Sequence, residues 1–200
     1  DVLDISWGDA TATFNFHKEL LQHFQWNTGK TRWVCKQPSA QQNLEALFEI
    51  YPDALCVWAH RPFSDIYASN IAIRAATYDT IQGKANDWSS QAMERAKQTK
   101  AGVERIMQNS LIDDPRIIHV KFHELAADPI GTIKNIYQKG GLEFTPEFAT
   151  RIQTWLDNPE NRVDRYGRYN YSYDAFNLDK DEIRGLFADY SEYFGLVEKG

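Results

Sequence analysis

Short apolar runs alternate with stretches of helical periodicity, and this alternation constrains the fold of the chain more than any other feature. Three runs have β-type composition, at residues 32–36, 54–59 and 116–121. Helical stretches at residues 41–51 and about 88–110 separate them. This order places parallel strands side by side and brings the loops after the strands to one edge of the sheet. We therefore predict an α/β fold in three layers, with a parallel sheet flanked by helices.

Further helices are predicted at the start of the chain and in its second half. Residues 13–26 carry apolar side chains at helical spacing before an Asn-Thr-Gly turn. Helices over 128–139 and 145–156 each begin with a capping residue followed by proline, which suits the first helical position. A last helix is predicted over 179–193. Residues 157–178 lack clean periodicity and predict a long ordered loop.

Size and charge limit the possible ligands. The chain has 200 residues, of which 42% are hydrophobic, so residues 1–200 are expected to form one domain. The net charge of −6 argues against a nucleic-acid partner, because a phosphate backbone is held by a surplus of Lys and Arg. One anionic nucleotide is still compatible with this charge, since a few well-placed donors suffice to bind it.

The sequence contains no apolar run of the ~20 residues that a membrane span needs, and no targeting segment opens it. We therefore expect a soluble, cytoplasmic protein. Both cysteines, Cys35 and Cys56, lie in apolar β-type runs, which predicts buried free thiols rather than a disulfide. Because the chain opens with Asp1 in mid-pattern, we expect it to be truncated on its N-terminal side.

The chemistry is concentrated in residues 56–69, where the chain leaves a strand, turns at Pro62 and enters a helix. This places Arg61 at the carboxyl end of the strand and Ser69 in the following helix. An arginine and a serine hydroxyl in these positions can bind one phosphate together. The alternative is a strand-end arginine in a surface ion pair, with a serine packed internally.

Four segments then occur in a characteristic order. Arg61 is followed eight residues later by Ser69. Upstream, residues 33–38 end in Lys-Gln-Pro, and residues 52–54 read Pro-Asp-Ala; downstream, residues 120–129 read Val-Lys-Phe-His-Glu-Leu-Ala-Ala-Asp-Pro. In this order the segments resemble the PAPS-dependent sulfotransferase family, in its broad bacterial form, over nearly the whole chain. PAPS is 3′-phosphoadenosine 5′-phosphosulfate. The resemblance implies a P-loop-NTPase-like sheet, incomplete in this chain.

The chain also departs from the family pattern at three places. The glycine-rich loop that holds the 5′-phosphosulfate in such enzymes is absent from these residues, and we expect it upstream of Asp1. The run after Lys36 lacks the histidine that often serves as general base. The C-terminal Arg-Lys-Gly loop is matched by Arg165 and Gly167, with Tyr166 in place of the lysine.

The resemblance implies transfer of a sulfuryl group from PAPS to a hydroxyl or amine, with PAP as the product and no metal. Lys36 is then expected to contact the sulfuryl oxygens. The remaining residues are expected to bind the nucleotide: Arg61 and Ser69 the 3′-phosphate, Phe122 the adenine by stacking, and Arg165, Gly167 and Arg168 as a closing loop. For Phe122 the alternative is a core phenylalanine at a strand end, and for Lys36 it is a solvated strand-end lysine.

Two other functions are open at this point. One is another P-loop-type enzyme, such as a nucleotide or small-molecule kinase, which would require Mg²⁺ ligands. The other is a non-catalytic module that binds the nucleotide without reacting. The acceptor, whether a small molecule, a glycan or a peptide, is not specified by the sequence, and a homodimer is also left open.

Overall fold

The computed structural model describes residues 10–37, 40–162, 165, 167 and 171–197. Within these ranges the strands are β1 (Cys56–His60) and β2 (Ile117–Lys121). The α-helices, in chain order, are α1 (Ala10–Gln25), α2 (Leu44–Ile50), α3 (Phe63–Gln82), α4 (Ala92–Met107), α5 (Phe122–Ala127), α6 (Pro129–Lys139), α7 (Pro146–Asp157), α8 (Lys180–Leu186) and α9 (Ala188–Tyr193).

The two strands form a parallel sheet, and α3 and α4 make the crossover between them. Their register runs from Cys56 opposite Ile117 to His60 opposite Lys121. Because the strands are parallel and end at the same level, the residues that follow them lie at one edge of the sheet. The predicted α/β class and these two strands are confirmed.

The third predicted strand, residues 32–36, is wrong. Residues 30–37 form neither helix nor strand, and the side chains from Lys30 to Gln37 are exposed. Within the described ranges no neighbouring strand pairs with this segment, and a strand without a partner cannot satisfy its backbone groups. Cys35 is consequently exposed rather than buried, although it is free as predicted; Cys56 is free and half-buried in β1.

Two hydrophobic cores hold the helices in place. In the first, α1 and α2 pack against the strands through Phe14, Leu44, Leu47, Phe48 and Ile117. In the second, α3, α4 and α8 meet through buried side chains that include Tyr67, Ile71, Ala92, Ala96, Ile183 and Phe187. The second core fixes the start of α8 against α3, and this contact positions residues of the candidate site.

Helix starts in the second half follow the predicted caps. Asp128 accepts a hydrogen bond from the Gly131 amide at 2.8 Å, and Thr145 accepts one from the Phe148 amide at 3.2 Å. Among the residues of the predicted loop over 157–178 that the structure describes, Pro159–Asn161 and Asp174–Phe176 form short 3₁₀ turns.

The predicted helix over 179–193 is divided into α8 and α9 at Phe187. The ring of Phe187 is buried and stacks on Phe63, with the ring centroids 4.0 Å apart. Packing of this side chain against α3 therefore overrides the helical periodicity of the local sequence.

No helix in the described ranges combines the length and apolar composition needed to cross a membrane.

The second core gives a direct test of the packing. Ile183 is fully buried in α8, whereas Ile73 is exposed on α3. We expect Ile183→Ala to lower the free energy of unfolding by about 2–5 kcal/mol, because it removes buried methyl groups and leaves a cavity. The matched control, Ile73→Ala, is expected to change it by less than about 1 kcal/mol. Urea denaturation measures both, and equal losses would contradict this packing.

Candidate functional site

Arg61 and Phe122 meet at the carboxyl edge of the sheet. Arg61 follows β1 and Phe122 follows β2, so the parallel register places them side by side. The guanidinium carbon of Arg61 lies 4.6 Å from the centroid of the Phe122 ring, a cation–π contact. Phe122 is 42% exposed, so the alternative of a core phenylalanine does not hold. The structure thus brings together two of the predicted nucleotide-binding residues.

Asp65 and Ser69 continue from Arg61 along one side of α3. Arg61 Nε lies 3.9 Å from Asp65 Oδ2, and Lys180 Nζ lies 4.0 Å from Asp65 Oδ1. Ser69 is half-buried and lies one helical turn beyond Asp65, because side chains four residues apart are neighbours on a helix. The predicted pair, Arg61 and Ser69, is therefore on the same side of the helix with a carboxylate between them.

The side chains of Arg61, Asp65 and Ser69 form a polar row. Within the described part of the chain, its two donor side chains, Arg61 and Ser69, are free of hydrogen bonds. Both distances to Asp65 exceed the 2.7–3.2 Å range of an N–H···O hydrogen bond. Neither the Arg61 guanidinium nor the Ser69 hydroxyl makes a hydrogen bond to another described residue. A guanidinium has five N–H donors, so Arg61 can bind an anion without first breaking a hydrogen bond to a described residue.

The other predicted residues lie on other segments of the chain or outside the described ranges. Lys36 is exposed on the segment that forms no strand. Arg165 donates from Nη1 to the backbone oxygen of Glu160 at 2.7 Å and forms an ion pair with its carboxylate at 2.9 Å. Gly167 has a left-handed backbone, with φ of 88°. Arg168 lies outside the described residues. The roles of these four residues stay predictions.

A cleft of about 200 Å³ opens beside Arg61, between β1, α3 and α4. Its apolar lining includes Trp58, Phe63, Ile66, Val103, Ile106 and Met107. Arg61 and Asn70 contribute polar groups to it, whereas Ser69, the neighbour of Asn70, is not among the lining residues. Arg61 thus borders both this apolar cleft and the polar side chains Asp65 and Ser69 of α3.

A buried series of hydrogen bonds begins at His60, the residue before Arg61. His60 is 1% exposed. Its Nδ1 lies 2.7 Å from the Tyr190 hydroxyl and its Nε2 lies 2.7 Å from Nδ1 of His119. His119 Nε2 in turn lies 2.8 Å from the carbonyl oxygen of Ile112. Phe194 stacks on the His60 ring, with the centroids 3.8 Å apart.

The hydrogen bonds determine where the protons of this series lie. A carbonyl oxygen only accepts, so His119 Nε2 donates to Ile112. With both rings neutral, His119 Nδ1 then accepts from His60 Nε2, and His60 Nδ1 accepts from the Tyr190 hydroxyl. Every polar atom of the series is satisfied, as buried polar groups must be. His60 is therefore a structural residue.

Burial determines the protonation of His60 and Tyr190. Removal from water, together with the neighbouring His119, lowers the pKa of His60 from 6.5 to about 3. Burial also raises the pKa of Tyr190 above its ordinary value. At neutral pH both groups are uncharged, in agreement with the hydrogen-bond pattern.

No group of His, Cys, Asp and Glu in the described ranges has the arrangement of a metal site.

Sequence reasoning missed four residues around Arg61: Asp65, Lys180, His119 and Tyr190. Asp65 lies only four residues after Arg61, but Arg61 precedes α3, so helix spacing alone does not relate the two side chains. The other three come from distant parts of the chain, and no local pattern relates them to Arg61.

Removing one hydroxyl tests the buried series of hydrogen bonds. Tyr190→Phe leaves Nδ1 of buried His60 without a donor, so we expect it to lower the free energy of unfolding by about 1–3 kcal/mol. Tyr193→Phe is the matched control, because the exposed Tyr193 hydroxyl lies 3.5 Å from Asp113; it is expected to cost less than about 0.5 kcal/mol. Urea denaturation measures both variants. Similar losses of unfolding free energy would show that the buried hydrogen bonds of His60 do not stabilise the fold.

The pKa of His60 predicts how its contribution to stability depends on pH. Below pH 6.5 the unfolded chain binds a proton at His60 that the folded chain does not bind until about pH 3. The contribution is therefore complete above pH 6.5 and is lost as pH falls towards 3. We expect the stability difference between the wild type and His60→Phe to shrink between about pH 7 and about pH 4.5. A constant difference, or an imidazole NMR titration of His60 near pH 6.5, would refute this.

Comparisons with known proteins agree with this architecture. A sequence model of the sulfotransferase family matches residues 7–146, well over half of the chain. The crystal structure of sulfotransferase STF9 from Mycobacterium avium matches with a TM-score of 0.78 and 25% identity, covering 98% of this chain and 50% of that one. Sulfotransferase STF1 from Mycobacterium tuberculosis matches with a TM-score of 0.70 and 29% identity, covering 91% of this chain and 46% of that one.

A curated relative is the omega-hydroxy-beta-dihydromenaquinone-9 sulfotransferase Stf3 of Mycobacterium bovis. It is 23% identical over 136 residues, which cover 66% of this chain and 35% of that protein. The chain thus spans about half the length of the two solved structures and about a third of the curated relative. Because the family model matches most of the residues that build the sheet and its edge, the chain belongs to the sulfotransferase family.

Proposed function

We propose that this chain supplies the 3′-phosphate site of an enzyme that transfers a sulfuryl group from PAPS to a hydroxyl or amine of a small-molecule acceptor. The observation that carries the proposal is the position and the hydrogen bonding of Arg61. It lies at the carboxyl edge of the sheet of a sulfotransferase-family chain, and its guanidinium is free of hydrogen bonds to the described residues.

In the proposed complex, Arg61 donates two parallel hydrogen bonds to oxygens of the 3′-phosphate, and Ser69 donates a third. A planar guanidinium matches two phosphate oxygens better than a point charge does. This contact selects PAPS and PAP over ATP, because ATP has no 3′-phosphate. The exposed part of the Phe122 ring offers the adenine a surface for stacking.

The reaction is an in-line displacement at sulfur. The acceptor oxygen or nitrogen forms a bond to sulfur, the bond between sulfur and the bridging 5′-phosphate oxygen breaks, and PAP leaves with the additional negative charge. We propose that Lys36 directs its ammonium group at the sulfuryl oxygens, where fixed positive charge stabilises the transition state. The acceptor loses its proton to a base, and no residue of this chain is assigned to that role.

The acceptor is proposed to be a small molecule with an apolar body. The name of the relative Stf3 gives a hydroxylated menaquinone derivative as the acceptor of that protein. In this chain, the cleft beside Arg61 is lined mainly by aromatic and aliphatic side chains, which favour an apolar ligand.

Nucleotide binding tests the proposal directly. We expect the chain to bind adenosine 3′,5′-bisphosphate more tightly than adenosine 5′-monophosphate or ATP in isothermal titration calorimetry. Arg61→Met should weaken binding of the bisphosphate by about 2–4 kcal/mol, roughly 30-fold to 1000-fold, because it removes one partner of a charge-assisted pair. The exposed Arg151 on α7 provides the control variant Arg151→Met, which should bind like the wild type.

Two outcomes would overturn the proposal. Tighter binding of ATP in the presence of Mg²⁺ would favour a kinase. Binding of the bisphosphate without transfer of labelled sulfate from PAPS, by the natural protein that carries this chain, would favour a non-catalytic binding module.

A further inference from the structure

We propose that Lys180 is a further residue of the 3′-phosphate site, where it compensates the charge of Asp65 and adds positive charge for the phosphate. This inference rests on the proposed function of Arg61. It concerns Arg61, which precedes α3, Asp65 and Ser69 on α3, and Lys180 at the start of α8.

Asp65 places a negative charge where a phosphate is proposed to bind. Its side chain is only 12% exposed, and it lies between Arg61 and the position of Ser69. A carboxylate in this position repels a phosphate and neutralises Arg61. With Arg61 and Asp65 alone, the pair would carry no net charge, and a dianionic phosphate would gain little by binding there.

Lys180 changes this charge balance. Its ammonium nitrogen lies 4.0 Å from the carboxylate oxygen of Asp65 that Arg61 does not approach. Two cations and one carboxylate leave one net positive charge at the site. Because Lys180 attracts Asp65 from the other side, Arg61 is left able to exchange its long contact with Asp65 for hydrogen bonds to a phosphate.

The position of Lys180 is set by the fold rather than by the ion pair. The preceding residue, Asp179, caps α8 by accepting a hydrogen bond from the Glu182 amide at 2.8 Å. Leu178 and Ile183, on either side of Lys180, are buried in the core that also contains Tyr67 and Ile71 of α3. These contacts hold the backbone of Lys180 beside α3, so its side chain reaches Asp65 without ordering a loop.

The donors of Lys180 are also available to a ligand. An ammonium group has three donors, and within the described ranges Lys180 makes no hydrogen bond, since 4.0 Å is too long for one. A simple surface ion pair of this length would contribute little to folding. Loss of this ion pair should therefore cost the fold little, while the ammonium donors stay available to a phosphate.

Charge-neutralising variants test this inference by calorimetry with adenosine 3′,5′-bisphosphate and adenosine 5′-monophosphate. Lys180→Gln should weaken binding of the bisphosphate roughly 5-fold to 30-fold and leave binding of the monophosphate unchanged. Asp65→Asn should bind the bisphosphate at least as tightly as the wild type. The double variant restores one net positive charge and should return to within about threefold of the wild type. Lys97→Gln, at an exposed position on α4, is the matched control.

The outcomes separate this inference from the proposed function. If the wild type does not prefer the bisphosphate, or if Arg61→Met does not abolish that preference, both proposals fail. If Arg61→Met abolishes the preference but Lys180→Gln weakens neither nucleotide, or weakens both alike, only the role of Lys180 is overturned. Thermal melting of Lys180→Gln, expected to match that of Lys97→Gln, shows whether a loss of affinity comes from unfolding.

Discussion

The parallel pairing of β1 with β2 is the constraint on which the candidate site depends, and the hydrogen bond from His60 to His119 adds a side-chain link between the strands. His60 opposes Lys121 across the sheet, so the residues that follow them, Arg61 and Phe122, lie side by side. The hydrogen bonds of His60 to Tyr190 and His119 also join α9 to both strands. A polar chain of this kind stabilises one arrangement only while every member keeps its partner, because an unpaired buried polar group is costly.

On this base the site combines a guanidinium that makes no hydrogen bond to the described residues with a carboxylate that lies between two cations. Preorganised charge binds an anion well because little has to be rearranged when the ligand arrives. In the proposed complex the same arrangement gives selectivity, because a nucleotide without a 3′-phosphate gains nothing from Arg61 and Lys180. Relatives that keep Arg61 and Ser69 but differ at Asp65 or Lys180 are therefore expected to differ in affinity for the nucleotide more than in its identity.

The sequence predicted the features that local chemistry determines. The strands that became β1 and β2, and the helix starts at Asp128 and Thr145, follow from apolar runs and capping residues. It failed where the outcome depends on distant partners. Residues 32–36 have β-type composition but pair with no described strand, and the helix over 179–193 is interrupted because Phe187 packs on Phe63. Arg61 was identified from the sequence, whereas Lys180 and Tyr190 lie more than a hundred residues away, and only the fold brings them near.

A crystal structure of the chain with adenosine 3′,5′-bisphosphate would test the central claim most directly. The 3′-phosphate should lie within hydrogen-bonding distance of the Arg61 guanidinium and the Ser69 hydroxyl, with the adenine against Phe122. A nucleotide bound elsewhere, or one whose 3′-phosphate points into solvent while Arg61 keeps its contact with Asp65, would contradict the assignment.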